Sequence, residues 1–157
     1  MRLENLRLLH FRNYSQVSLP LAHDITIFYG DNAQGKTNLL EGIYTAARGF
    51  SFRTRHEEEL PSFGAEEWAA ELQYRDRYGS NRLLVKRYPV RGRTKKENLL
   101  NGNPVRGSYR TTRAVNIKLD ILRRIFCFQE EKLRNDQVRT NIVYLFSKEN
   151  DSVLKKS

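Results

Sequence analysis

The residues whose types and spacing say most about chemistry are Gly30, Asp31, Asn32, Ala33, Gln34, Gly35, Lys36 and Thr37, which match the pattern of a phosphate-binding P-loop. A loop that wraps a triphosphate must turn backbone N–H groups toward the oxygens, and Gly30 and Gly35 permit the dihedrals and the close approach that this requires. A helix starting at the end of the loop adds its positive pole to the same point. Lys36 would then reach the β- and γ-phosphates as a point charge, and the Thr37 hydroxyl would take one coordination site on Mg²⁺. At average residue usage such a pattern arises by chance in about one in two hundred chains of this length.

A P-loop needs a strand before it and a helix after it, and both are legible. Residues 24–29 form a short β-branched and aromatic run that ends at Gly30. After Thr37, apolar side chains fall at Leu39, Leu40, Ile43, Tyr44 and Ala47, one face of a helix over about 36–48, with Arg48 in its last turn and Gly49 as its stop.

The chain has 157 residues, enough for one domain with a real core, and its apolar content of 39% is that of a folded protein. No apolar run approaches the ~20 residues of a membrane span, and the N-terminus lacks a signal-peptide core, so a cytoplasmic chain with no membrane partner is expected. The single cysteine, Cys127, stands between Phe126 and Phe128 and reads as a small core hydrophobe. A net charge of +10 suggests a polyanionic partner such as nucleic acid, although +6 of it lies in residues 106–157.

Along the chain, residues 2–9 alternate loosely and 15–19 place Val17 and Leu19 on one face, so the start reads as two short strands joined at Phe11, Arg12, Asn13 and Tyr14. Residues 50–55 make a basic and aromatic loop containing Arg53 and Arg55, and Glu57, Glu58 and Glu59 read as a solvated helix start. Trp68, Ala70, Leu72 and Tyr74 alternate with polar or small neighbours in a half-buried strand that pairs with 81–88. Residues 95–100 are another strand, and Asn101 with Gly102 signals a tight hairpin to 103–105. Residues 66–105 are thus expected to form an antiparallel β layer, distinct from a βαβ-like start.

These motifs, in this order, resemble the RecF family of bacterial DNA replication and repair proteins over roughly residues 1–105: Phe11, Arg12, Asn13, Tyr14, then GDNAQGKTNLLEGIY, then Ser51, Phe52, Arg53, Thr54, then Asn101 and Gly102. The resemblance implies an α/β fold, a P-loop NTPase head of the ABC/SMC type, here incomplete, with the antiparallel layer after the P-loop helix. It further implies MgATP as ligand, ATP-dependent binding of single-stranded, gapped or duplex DNA, an ATP-dependent homodimer, and RecO and RecR as partners. Carried over by position, Arg12 and Asn13 sit beside the nucleotide, while Arg53, and Arg55 after it, lie in the loop that approaches phosphates and DNA. Taken singly, Arg12 and Arg53 also read as ordinary surface arginines.

An ABC-type head also carries a Ser-Gly-Gly-Gln-like signature, a strand ending in Asp-Glu and a switch histidine, and none is found in this sequence. The nearest candidates, 125–131 and 142–149, read as ordinary strands or helix segments. Residues 106–157 are expected to be a divergent basic tail, from a truncated or frame-shifted product, in a chain that contacts MgATP but hydrolyses little of it. Three readings stay open beside the repair head: an inert fragment, a basic DNA-binding module that ignores ATP, and a small P-loop kinase.

Overall fold

The structure is a computed structural model, and it describes residues 2–21, 25–28, 35–105 and 143–146. Asp24, Tyr29, the loop residues 30–34, Cys127 and the run 125–131 lie outside the described residues.

The chain opens with β1 (Arg2–Phe11) and β2 (Tyr14–Pro20), an antiparallel pair joined at Arg12 and Asn13. β1 is the strand whose alternation is hardest to read, and the reason is a register shift between Leu3 and Asn5. The irregularity absorbs one residue, so Leu3 and Leu6 share a face although they are three apart, and both are fully buried with Leu8. His10, at φ 46, marks a second departure, after which Phe11 is again in the core.

β3 (Ile25–Phe28) leads toward the P-loop, and α1 (Lys36–Arg48) follows it. The helix stops as its sequence predicts: Gly49 takes the left-handed φ of 83, and its N–H donates to the Thr45 carbonyl at 2.7 Å. α1 lies on the sheet against β1, β4 (Trp68–Asp76) and β5 (Gly79–Val90). Contact with β1 is close at Gly42, where a Cβ would meet Leu8 Cδ2 at 2.6 Å.

β4 and β5 continue into β6 (Arg93–Leu100) and β7 (Asn103–Pro104), the last two joined through Asn101 and Gly102 as expected. The antiparallel layer is wider than the sequence suggested, because β1 pairs with β4 and brings β2 with it. One six-stranded sheet results, in the order β2-β1-β4-β5-β6-β7, and the opening strands belong to it and not to a separate βαβ unit. β3 stands apart, paired antiparallel with β8 (Val143–Phe146), so the apolar run near 142–149 supplies a strand.

The core lies between α1 and the inner face of the sheet, where Leu6, Leu72 and Leu83 stand in register across three strands and meet Leu40 and Ile43 of the helix. Phe11 packs edge-on against Trp68 at 5.6 Å. One charge of the sheet enters this interior. Arg87, 4% exposed, donates from Nε to Glu57 at 3.0 Å, from Nη1 to the Asn98 side chain at 2.9 Å and from Nη2 to the Gly49 carbonyl at 3.2 Å, with its guanidinium 5.5 Å from the Trp68 ring centre. Glu57 opens a short 3-10 turn (Glu57–Glu59) and also meets Lys96 at 3.0 Å. The acidic run is therefore more than a solvated helix start: its first member is the counter-ion of a buried arginine.

Candidate functional site

The N-terminus of α1 is built around Gly35. Its φ of 92 is left-handed, and a Cβ there would stand 2.6 Å from Asn13 Nδ2 and 2.9 Å from the Tyr14 hydroxyl, so any other residue would be strained and would push these side chains aside. The chain reverses at Arg12 (φ 54), and the turn lays Asn13 and Tyr14 against the end of the P-loop. Tyr14 donates its hydroxyl to the Gly35 carbonyl at 3.3 Å, and burial raises its pKa, which keeps that proton in place. Asn13 accepts from Asn38 Nδ2 at 2.8 Å.

The helix has no acidic residue in its first turn and no side-chain cap. Lys36 and Thr37, half-buried and exposed respectively, are therefore presented at a helix pole that favours anions. Of the expected phosphate-binding residues, the structure describes Gly35, Lys36 and Thr37, which stand at the N-terminus of α1, whereas Gly30, Asp31, Asn32, Ala33 and Gln34 lie outside the described residues.

Behind the first turn is a carboxylate that the sequence reading did not single out. Glu41 is fully buried, and Arg12 meets it as a fork, Nη2 to Oε1 at 2.6 Å and Nε to Oε2 at 3.0 Å. Ser51 donates to Oε1 at 2.5 Å, and Arg53 Nη1 reaches Oε2 at 3.2 Å. The same Arg53 nitrogen lies 2.7 Å from Asn38 Oδ1, so Arg53, Asn38 and Asn13 form a chain of contacts leading back to Gly35. Arg12 Nη1 and its backbone N–H donate to the Glu59 and Leu60 carbonyls, both at 2.7 Å, which ties the loop after α1 onto the β1–β2 turn.

Arg12 and Arg53, alternatively read as surface arginines, are thus brought together on one carboxylate. Arg12 is largely buried and spends all three nitrogens on protein, whereas the Arg53 side chain keeps 44% of its surface in water. Arg55 is exposed and takes no part in the cluster. A signal for Glu41 was present, since a carboxylate beside Leu40, Ile43 and Tyr44 on an inward helix face requires a cationic partner. Among the described residues no group of three or more His, Cys, Asp or Glu could hold a metal ion, and no helix is long and apolar enough to cross a membrane.

The sequence model of a family described as an AAA domain matches residues 5–156. The chain belongs to the AAA domain family. Among curated relatives, the DNA replication and repair protein RecF of Clostridium novyi is 52% identical over 65 residues, 41% of this chain and 18% of the relative. RecF of Staphylococcus aureus strain JH9 is 48% identical over 85 residues, 54% of this chain and 23% of the relative. The matches thus span about a fifth of the relatives' own length. A solved structure of the recombination mediator protein RecF with ATP, in the RecFOR pathway, superposes with a TM-score of 0.61 at 30% identity, covering 68% of this chain and 28% of that one. The AAA domain here is of the RecF type, with the fold of an ABC/SMC-type P-loop ATPase head.

Proposed function

We propose that this chain binds ATP through Gly30, Asp31, Asn32, Ala33, Gln34, Gly35, Lys36 and Thr37 and uses that binding to engage DNA in replication and recombinational repair. The observation that carries the reading is the left-handed glycine join at Gly35, closely approached by Asn13 and Tyr14 and followed by Lys36 and Thr37 at an uncapped helix pole. A purely structural turn has no use for a lysine and a hydroxyl at that pole, whereas a triphosphate needs both.

The residues suit Mg²⁺ as well. Thr37 offers an exposed hydroxyl, and the absence of acidic groups from the first turn leaves the phosphates as the main source of negative charge. When bound, the ion would offset charge shared between the β- and γ-phosphates. This chain's own contribution is positional. Glu41 holds Arg12, so that the turn bearing Asn13 keeps Gly35 in its left-handed conformation, and Arg53 lies within hydrogen-bond reach of Asn38, one residue beyond Thr37.

RecF relatives named for DNA replication and repair, and the solved RecF of the RecFOR pathway, support DNA, RecO and RecR as partners. To this the proposal adds single-stranded or gapped DNA as the form bound, an ATP-dependent homodimer, a part in the SOS response and a place in the cytoplasm. Fluorescence anisotropy of labelled single-stranded, gapped and duplex DNA, with and without MgATP, tests it. The expected result is DNA binding that strengthens with MgATP and loses that dependence in Lys36→Ala. Binding indifferent to ATP would assign the chain to a nucleotide-independent module, and nucleotide binding unaltered by Lys36→Ala would overturn the site.

A further inference from the structure

The hairpin of β5 and β6 carries a charge imbalance that the nucleotide site does not use. Residues 86–96 include Lys86, Arg87, Arg91, Arg93, Lys95 and Lys96 and no acidic residue. Arg87 is consumed by the interior, but 89–96 are exposed throughout. β4 stops pairing with β5 at Trp68 and Arg87, whereas β5 and β6 stay paired out to Val90 and Arg93. The last three pairs therefore project past the edge of the sheet as a two-stranded ribbon.

Its tip is a tight turn in which Arg91 (φ 49) and Gly92 (φ 74) are both left-handed, the geometry that matches strand twist and keeps a hairpin straight. A Cβ on Gly92 would meet nothing within 4 Å. The register puts Lys86, Tyr88 and Val90 opposite Glu97, Lys95 and Arg93 on one face. On it the Tyr88 ring has Lys86 Nζ 4.5 Å and Lys95 Nζ 5.5 Å from its centre, and its hydroxyl donates to Glu97 at 2.6 Å. The one carboxylate is thus engaged from within, by Tyr88 and by Lys95 at 2.9 Å, Lys96 pairs with Glu57, and Arg91 and Arg93 stand exposed at the tip of a stiff support.

We propose that this ribbon is a contact arm for the phosphate backbone of double-helical nucleic acid. The inference deepens, and rests on, the DNA reading given above. A two-stranded ribbon has the width of a major groove, and cations repeated along both strands suit a regularly spaced row of phosphates better than an irregular acidic protein surface. The ribbon leaves the sheet beside Gly49, at the opposite end of α1 from Lys36, and the 13 residues of the helix put about 20 Å between them. The arm therefore touches nucleic acid away from the nucleotide.

The test compares the full 157-residue chain with the triple variant Arg91→Asn/Arg93→Gln/Lys95→Gln, reading duplex affinity by anisotropy across a series of KCl concentrations, with thermal melting as a check on folding. The expected result is at least tenfold weaker binding at low salt and a dependence of log K on log salt shallower by about 2 to 3, one phosphate contact being worth ~0.9. Glu97→Gln, which retains an acceptor for Tyr88 and removes the opposing charge, should tighten binding and serves if the triple variant fails to melt cooperatively. Unchanged affinity and slope in the triple variant, or unchanged affinity in Glu97→Gln, would overturn the arm while leaving the DNA reading intact. Absence of duplex binding by the unaltered chain would overturn the arm alone, and absence of binding to single-stranded and gapped DNA as well, with MgATP present, would overturn both. Competition by poly-glutamate as effective as duplex of equal charge would reassign the arm to an acidic protein.

Discussion

A carboxylate with no access to water must have its lone pairs met by protein donors, and Glu41 meets this demand with Arg12, Ser51 and Arg53. Its importance is asymmetric, as for any buried ion pair: removing one partner costs far more than the pair contributes. Arg12→Ala should therefore destabilise the chain by about 3 kcal/mol, the low end for a buried pair because Ser51 and Arg53 remain. Adding Glu41→Met should restore part of the loss by removing the stranded charge. Urea denaturation of the three proteins decides it, and a double variant no more stable than Arg12→Ala would contradict the account. At this scale the sequence was legible where local pattern restricts residue type: Gly35, Lys36 and Thr37 stand at the start of a helix, as their spacing requires. It was silent where a side chain's role depends on folding, since Arg12 and Glu41 are 29 residues apart.

Among the elements, α1 was readable at both ends, because its apolar period, Arg48 and Gly49 are all local signals. β1 was readable only as an approximate strand, since the irregularity after Leu3 breaks the period of two that identifies a strand from sequence. The side on which β1 pairs was not readable at all, because its partner β4 comes after the whole P-loop helix. Helix and strand meet at Gly42 and Leu8, and this contact yields a prediction with two opposing contributions. Alanine at 42 would gain about 1 kcal/mol of helix propensity. It would also place a methyl 2.6 Å from Leu8 Cδ2, an overpacking that costs about 1 to 3 kcal/mol. Gly42→Ala should be destabilising in the unaltered chain and become neutral or stabilising when Leu8→Ala is also present, as read from melting temperatures in a double-mutant cycle.

For the whole molecule, Arg87 links three separate parts: the end of α1 through the Gly49 carbonyl, the loop after it through Glu57, and β6 through Asn98. Burial alone would raise the Glu57 carboxyl, but hydrogen bonds from Arg87 and Lys96 outweigh it and hold its pKa below the usual value. A carboxyl depressed on folding contributes stability that is present above its unfolded pKa, about 4.3, and lost as pH falls through the lower folded value. Stability should therefore decline on acidification below about pH 4.3, and Glu57→Gln should flatten that decline while lowering stability at neutral pH. A variant with the same acid profile as the parent would exclude Glu57 from the linkage. The pairing of β1 with β4 also has a consequence in time. The hairpin of β1 and β2, and the meander from β4 to β7, join neighbours in sequence, but β1 meets β4 across about 60 to 70 residues. On the ribosome the first strand must wait until β4 has emerged, and the loop then closed contains the P-loop and α1. One late event thus completes the sheet and seats the helix against it, so a nascent chain halted before residue 68 has no finished site to offer a nucleotide.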